Sequence, residues 1–264
     1  LERSGRTPRA VFCDDSKKQL PYGVTVMEWL PGAPLNYQRD MRTAAEILAD
    51  IHSLKVPEST RIIRREAPAQ GIYEECLSML QHYLEWDRAD KRACGLIDTL
   101  ITETGGLPLK ETSGAPVCIV NTELNSGNFL INPDGKSYLI DWEKPLLSEP
   151  AQDLAHFLVP TTTFWKTDTI LTPEEIATFA DNYIAAVGDR MDTSTVRERL
   201  PLFFKVTCLR GITWCAMAVR EYSEPGRALR NEITFKKIQA YLAPDFLSNI
   251  LDNYVRKDFL CGRA

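Results

Sequence analysis

Residues 118–142, CIVNTELNSGNFLINPDGKSYLIDW, constrain this chain more than any other stretch, because they set β-rich runs inside a sequence whose other apolar patterning is mainly helical. The runs at 117–121, 128–132 and 137–142 are short and rich in Val, Ile, Leu and Phe, which suits strands. The last two are joined by Pro133-Asp134-Gly135-Lys136, a tight-turn signal between strands. Around them lie helices. Over 39–54, Met41, Ala44, Ala45, Ile47, Leu48, Ile51 and Leu54 recur at three- and four-residue intervals, the period of one buried helix face. Residues 71–86 and 90–104 continue the helical pattern until Gly105-Gly106 and Pro108 stop it. After Pro150 the expected helices are 151–158, 173–187 opened by the cap-like TPEE, 194–222, 228–241 and 245–255. Near the start, β-rich runs at 10–13 and 23–29 flank the polar turn DDSKKQLPYG and precede a Pro31-Gly32 break. The expected class is α+β: a small β piece, then a mainly helical body holding one β-hairpin.

Composition narrows the function classes. The 264 residues carry a net charge of −5 with no basic stripe or Lys/Arg cluster interleaved with aromatics, which disfavours a nucleic-acid partner. The longest apolar stretches break well short of the roughly 20 residues that span a bilayer. Residues 1–20 carry charges throughout and no apolar signal-peptide core, so no membrane segment is expected and the cytoplasm is the expected location. The seven cysteines, Cys13, Cys76, Cys94, Cys118, Cys208, Cys215 and Cys261, are odd in number and never spaced C-x-x-C, and they suit reduced, mostly buried thiols. His52, His82 and His156 each sit among apolar neighbours at helical spacing, and packing or surface roles are expected for all three.

Three side chains at the rim of the hairpin stand out: Glu123, Asn128 five positions on across a loop holding Ser126-Gly127, and Asp141 at the end of the returning strand. Two carboxylates and an amide oxygen supply hard oxygen ligands and a proton acceptor, the set that a magnesium-dependent phosphoryl transfer uses. Taken singly, each also suits a local role, Asn128 in a turn and Asp141 as a strand-end cap.

The flanking stretches VMEWLPGAPL, AAEILADIHSL, LNSGNFLINPDGKSYLIDWE and EPAQDLAHFL, in this order, resemble the aminoglycoside phosphotransferase and choline kinase-like family, whose fold is related to the protein kinases. The resemblance runs from about Pro8 to the end and is most specific between Cys118 and Leu158. It implies a remnant of a small β N-lobe with hinge over 1–34 and a helical C-lobe with catalytic β-hairpin over 35–264. It implies ATP or GTP with Mg2+ as cofactors, and phosphate transfer to a hydroxylated small molecule of aminoglycoside, amino alcohol or sugar type. Asn128 and Asp141 look like the magnesium ligands, and Asp153 like the buried acid that braces the catalytic loop. The backbone around Glu28 and Leu30 looks like the hinge that bonds the purine. Glu143, directly after Ile140-Asp141-Trp142, is expected at the substrate rim. Trp165, Trp214 and Glu221 could face an amine-bearing acceptor, with core packing the competing role for the two tryptophans.

Two departures accompany the resemblance. The family's His-Gly-Asp is here Asn121-Thr122-Glu123, making the expected base a Glu, one methylene longer. No G-x-G phosphate loop occurs, and Lys17 and Lys18 suit a solvated turn rather than the family's strand-borne lysine. The chain is accordingly expected to represent only part of a two-lobed protein. The alternatives are a degenerate kinase-like protein that binds a nucleotide, small molecule or partner without catalysis, and a structural helical scaffold. The sequence leaves the acceptor, the choice of nucleotide and the oligomeric state open.

Overall fold

The computed structural model describes residues 1–111, 114–224 and 231–257. Strands β1 (Ala10–Asp14) and β2 (Val24–Met27) pair antiparallel with Phe12 opposite Val26, the expected opening hairpin. They form a sheet of their own, and Val11, Phe12, Val26 and Met27 are exposed on it. The Pro31-Gly32 break then serves a close approach. Gly32 has φ 149°, and a Cβ there would lie 2.8 Å from the Leu130 backbone.

Beyond it, β3 (Ala33–Pro34) leads into α1 (Met41–His52), β4 (Ile63–Arg64), α2 (Pro68–Leu84) and α3 (Lys91–Gly105), where the Asp90 carboxylate caps the Ala93 N–H at 2.8 Å. Strand β5 (Cys118–Val120) is followed by a 3-10 turn over Ser126–Asn128, β6 (Phe129–Ile131), β7 (Tyr138–Leu139) and β8 (Leu146–Ser148). Helices α4 (Pro150–Leu158), α5 (Pro160–Lys166), α6 (Pro173–Val187), α7 (Val196–Ser223), α8 (Glu232–Tyr241) and α9 (Pro244–Ile250) complete the body. The cap-like TPEE is a full capping box: Thr172 accepts from the Glu175 N–H, and the Glu175 carboxylate accepts from the Thr172 N–H.

The body holds more β structure than one hairpin. β6 and β7 form the expected hairpin, but β3 adds to its edge, and a second sheet runs β4-β8-β5 with β4 parallel to β8. Strands of two or three residues are too short to show a period of two, and tertiary pairing alone defines them. Helix α5 also departs from expectation, since three successive threonines lower helix propensity. Here Pro160 opens the helix, the Thr163 hydroxyl donates forward to the Thr169 carbonyl beyond its end, and the Thr167 hydroxyl donates back to the Thr163 carbonyl. The expected helix at 228–241 begins outside the described residues, and the one at 245–255 passes from α9 into a single π turn, Leu251–Val255. Cys261 also lies outside the described residues; the six others are free thiols.

Helix α7 is the spine of the body. By length and composition it could cross a membrane, with a mean hydropathy of 1.4 over 18 residues, but 78% of that window is buried. It packs against α2 and α4, and this explains its apolar composition. Phe157 on α4 meets Tyr37, Phe129 and Phe179 at ring separations of 5.0 to 5.4 Å, fixing the hairpin to the helices. The first residues pack on this body as well: the Arg6 carbonyl accepts from the Leu139 N–H at 2.8 Å, and its guanidinium pairs with Asp50 at 2.7 Å.

Where β8 enters α4, Glu149 receives two hydrogen bonds from Arg199 of α7, at 2.7 and 2.8 Å, and both side chains are buried. Removing the guanidinium would leave a buried carboxylate without its main partner, so Arg199→Met should cost about 3 to 5 kcal/mol. Urea denaturation of the variant beside the parent chain measures this, and a loss below 1 kcal/mol would contradict it.

Candidate active site

The loop from β5 to β6 is tied to the core by a carboxylate that reaches no solvent. Asp153 on α4 accepts from the Asn121 N–H at 2.7 Å and from the Thr122 N–H at 2.9 Å. Behind it, His52 of α1 places Nε2 3.3 Å from the same carboxylate and Nδ1 2.9 Å from the Tyr183 hydroxyl of α6. Burial pushes the Tyr183 phenol well up, so it stays neutral. Three helices thus converge on one acid that holds two loop amides.

The hold imposes a conformation that side chains resist. Thr122 has φ 72°, rare for a β-branched residue and worth on the order of 1 to 3 kcal/mol of strain. Its hydroxyl bonds the Lys144 carbonyl at 3.3 Å, and Asp141 also has positive φ, 65°. Asn121 locks the two halves together: its amide donates to the Asp141 carbonyl at 2.9 Å, and its side-chain oxygen accepts from the Glu123 N–H at 3.0 Å.

This frame brings Glu123, Asn128 and Asp141 to one place. Asn128 Nδ2 donates to the Glu123 carbonyl at 2.7 Å and lies 3.5 Å from Asp141 Oδ2. With Nδ2 committed, its Oδ1 has no hydrogen-bond partner among the described residues. The atom turned to Asp141 Oδ2 is Nδ2; as a donor set, one amide oxygen and one exposed carboxylate are of the hard kind that Mg2+ takes, completing its shell with water and phosphate oxygens. Among the described residues no three His, Cys, Asp or Glu side chains cluster to hold a metal by themselves.

The other expected residues divide. The pairing of β3 with β6 ties residues 33 and 34, a few positions after the 28–30 segment, to the hairpin that follows Asn128. The Glu28 N–H is taken by the Arg9 carbonyl at 3.0 Å, so its own carbonyl is the group it could offer a purine. Trp165 and Trp214 meet edge to face, rings 5.4 Å apart, and line a cavity of about 210 Å³ with Glu123, His156, Gly211 and Tyr241. The competing core-packing role is therefore only half right for them, since Trp214 is 37% exposed. Glu143 lines a second, larger cavity beside Thr122. Glu221 joins neither: eleven residues past Arg210, it lies about 16 Å farther along α7, on its exposed last turn.

Two histidines also depart from packing alone. His52 braces the loop through Asp153, and half-buried His156 accepts the Leu124 N–H at Nδ1, 3.1 Å. Burial, reinforced by the Arg210 guanidinium, pushes the His156 pKa down to about 4, so the ring is neutral with its proton on Nε2. Their partners lie 101 and 32 residues away, which leaves no local signal in the sequence.

Residues 2–199 match the model of the phosphotransferase enzyme family. Three solved structures share the fold. A choline kinase from Streptococcus pneumoniae has a TM-score of 0.56 at 18% identity, over 94% of this chain and 77% of that one. A spectinomycin phosphotransferase in complex with ADP and spectinomycin has a TM-score of 0.63 at 16% identity, over 95% and 78%. A microcompartment-associated aminopropanol kinase has a TM-score of 0.61 at 13% identity, over 96% and 78%. No curated protein matches the chain.

Stability should register the His156 contact. As pH falls, the unfolded chain takes up the imidazole proton near 6.5 but the folded chain only near 4, so this group removes up to about 3 kcal/mol of stability across that window and none above it. In His156→Gln, which keeps an acceptor for Leu124 but does not titrate, denaturation midpoints should fall less steeply between pH 6.5 and 4. Parallel profiles would refute the assignment.

Proposed function

The chain belongs to the phosphotransferase enzyme family, and on that basis we propose that it transfers the γ-phosphate of ATP or GTP to a hydroxyl of a small molecule. The observation that supports this reading is Asn128, whose Nδ2 bonds the Glu123 backbone carbonyl and lies 3.5 Å from Asp141 Oδ2, which ties together the three positions that would supply an acid, a neutral oxygen ligand and a charged one.

Each group has a role in that chemistry. Glu123 accepts the proton of the acceptor hydroxyl, whose oxygen bonds the γ-phosphorus as the bond to the β–γ bridging oxygen breaks and the nucleoside diphosphate leaves. Asn128 and Asp141 would hold a magnesium ion against the nucleotide phosphates. When bound, the metal neutralises the charge on the phosphate oxygens. The backbone at Glu28 and Leu30 would receive the purine, and Trp165 and Trp214 would wall the approach of the acceptor to Glu123. Asp153 acts through the loop it holds and touches no reacting atom.

The test is phosphate transfer from ATP and from GTP, by the full-length protein, to a panel of hydroxylated amines, sugars and acids. Glu123→Gln should lower kcat by about 10² to 10⁴ with little change in nucleotide affinity, because only the transition state uses the lost group. Asp141→Ala should remove the magnesium dependence of nucleotide binding. A Glu123→Gln variant as active as the parent would remove Glu123 from the mechanism. Nucleotide bound without turnover of any acceptor would favour the non-catalytic reading, which the replacement of His-Gly-Asp by Asn121-Thr122-Glu123 motivates.

A further inference from the structure

The larger cavity, about 630 Å³, opens where the loop, the segment after Asp141, the start of α2 and the middle of α7 meet. That volume suits a metabolite-sized ligand. It shares His156, Thr207 and Arg210 with the smaller cavity that holds Glu123, so the two are adjoining parts of one cleft. Asn128, Asp141, Glu28 and Leu30 line neither part, which leaves the cleft to the acceptor rather than the nucleotide.

Its charge runs against that of the whole chain. Arg61, Arg65, Lys144 and Arg210 face Glu75 and Glu143, a net charge of +2 in a protein of net charge −5. Arg210 is paired with Glu75 at 3.4 Å, but Arg61, Arg65 and Lys144 have no ion-pair partner among the described residues. The Arg65 guanidinium rests on the first turn of α2, where a Cβ at Gly71 would lie 3.1 Å from Nη1. Pro68 and Gly71 of the same turn line the cavity. Guanidiniums and an ammonium without ion-pair partners, gathered on one cavity wall, make a receptor for carboxylate or phosphate.

We propose that the phosphate acceptor is an anion: a hydroxylated molecule whose carboxylate or phosphate is bound by Arg61 and Arg65, with Lys144 beside them, while its hydroxyl reaches Glu123. The inference rests on the phosphotransferase reading for the chemistry, and on the arginine cavity alone for the charge. Glu143, the remaining carboxylate without a cation partner, repels a second anionic group and orients the first toward the arginines.

Two measurements on the full-length protein separate the claims. In the first, calorimetry at low ionic strength follows binding of glycerol 3-phosphate, glycerate, glycerol and ethanolamine. The first two should bind saturably and the last two should not, and a preference between the anions tells phosphate from carboxylate. Arg61→Gln/Arg65→Gln should weaken anion binding about 10- to 100-fold. In the second, turnover of these four compounds with ATP and GTP should follow the same order, with the double substitution raising KM for anions and leaving magnesium-nucleotide affinity unchanged. Anion binding with no turnover of any member of the wider acceptor panel supports the cavity assignment and overturns the phosphotransferase reading. Turnover of glycerol or ethanolamine in preference to the anions, unaffected by the double substitution, leaves the transferase standing and overturns the anionic acceptor. No anion binding by the parent protein also overturns it.

Discussion

A carboxylate without any solvent contact, Asp153, accepts two consecutive loop amides, and the geometry of the site follows from that contact. A buried charge is costly unless it is fully hydrogen-bonded, so the folded state keeps Asp153 only while Asn121 and Thr122 present their N–H groups to it. That requirement turns Thr122 into the left-handed region and holds it there against its β-branched side chain. From Thr122 the effect passes along the chain: Asn121 clasps Asp141 and Glu123, and Asn128 clasps Glu123 from the other side. His52 and Tyr183 extend the clasp into α1 and α6, so loosening any of these helices would be felt at the loop.

The same geometry divides what the sequence discloses from what it hides. Helices α1, α2, α3, α6 and α7 were legible because each carries an apolar stripe or a cap, and the β6–β7 hairpin because its turn chemistry is local. Glu123, Asn128 and Asp141 were legible as candidates because all three fall within one short segment. Strands β3, β4 and β8 were not, since two or three residues have no periodicity and acquire their state only by pairing. The coupling of His52 and His156 to the loop was hidden for a related reason: α-helical spacing announces the face a histidine lies on, but not the acid or amide that tertiary packing brings to it. Glu221 lies on the last turn of α7, away from both cavities described above, and the sequence has no signal for where along a long helix the site falls.

Charge distribution was hidden in the same way. Arg61 and Arg65 sit in a stretch without motif, Lys144 follows the hairpin, and Arg210 lies in the middle of an apolar helix. Only the fold brings them to one cavity, and a net charge of −5 gives no hint that a local region is cationic. Net charge governs solubility and long-range steering, whereas a ligand responds to the potential within a few ångströms of its own charge.

The two substitutions in the loop are best understood together. Thr122 adds a side chain where the backbone has positive φ, and its hydroxyl reaches the Lys144 carbonyl, tying the segment after Asp141 to the loop. Glu123 adds a methylene where the backbone is already pinned on both sides, its N–H by Asn121 and its carbonyl by Asn128. Because the backbone cannot retreat, the extra length has to be expressed outward, carrying the carboxylate about 1.5 Å farther from the loop. A transfer that depends on alignment to about 1 Å would then need its acceptor hydroxyl set correspondingly farther out. Gly211 allows α5 to approach α7 so closely that a Cβ would fall 2.4 Å from Thr161, and across that contact Trp165 meets Trp214 edge to face in the wall of the cavity that Glu123 also lines.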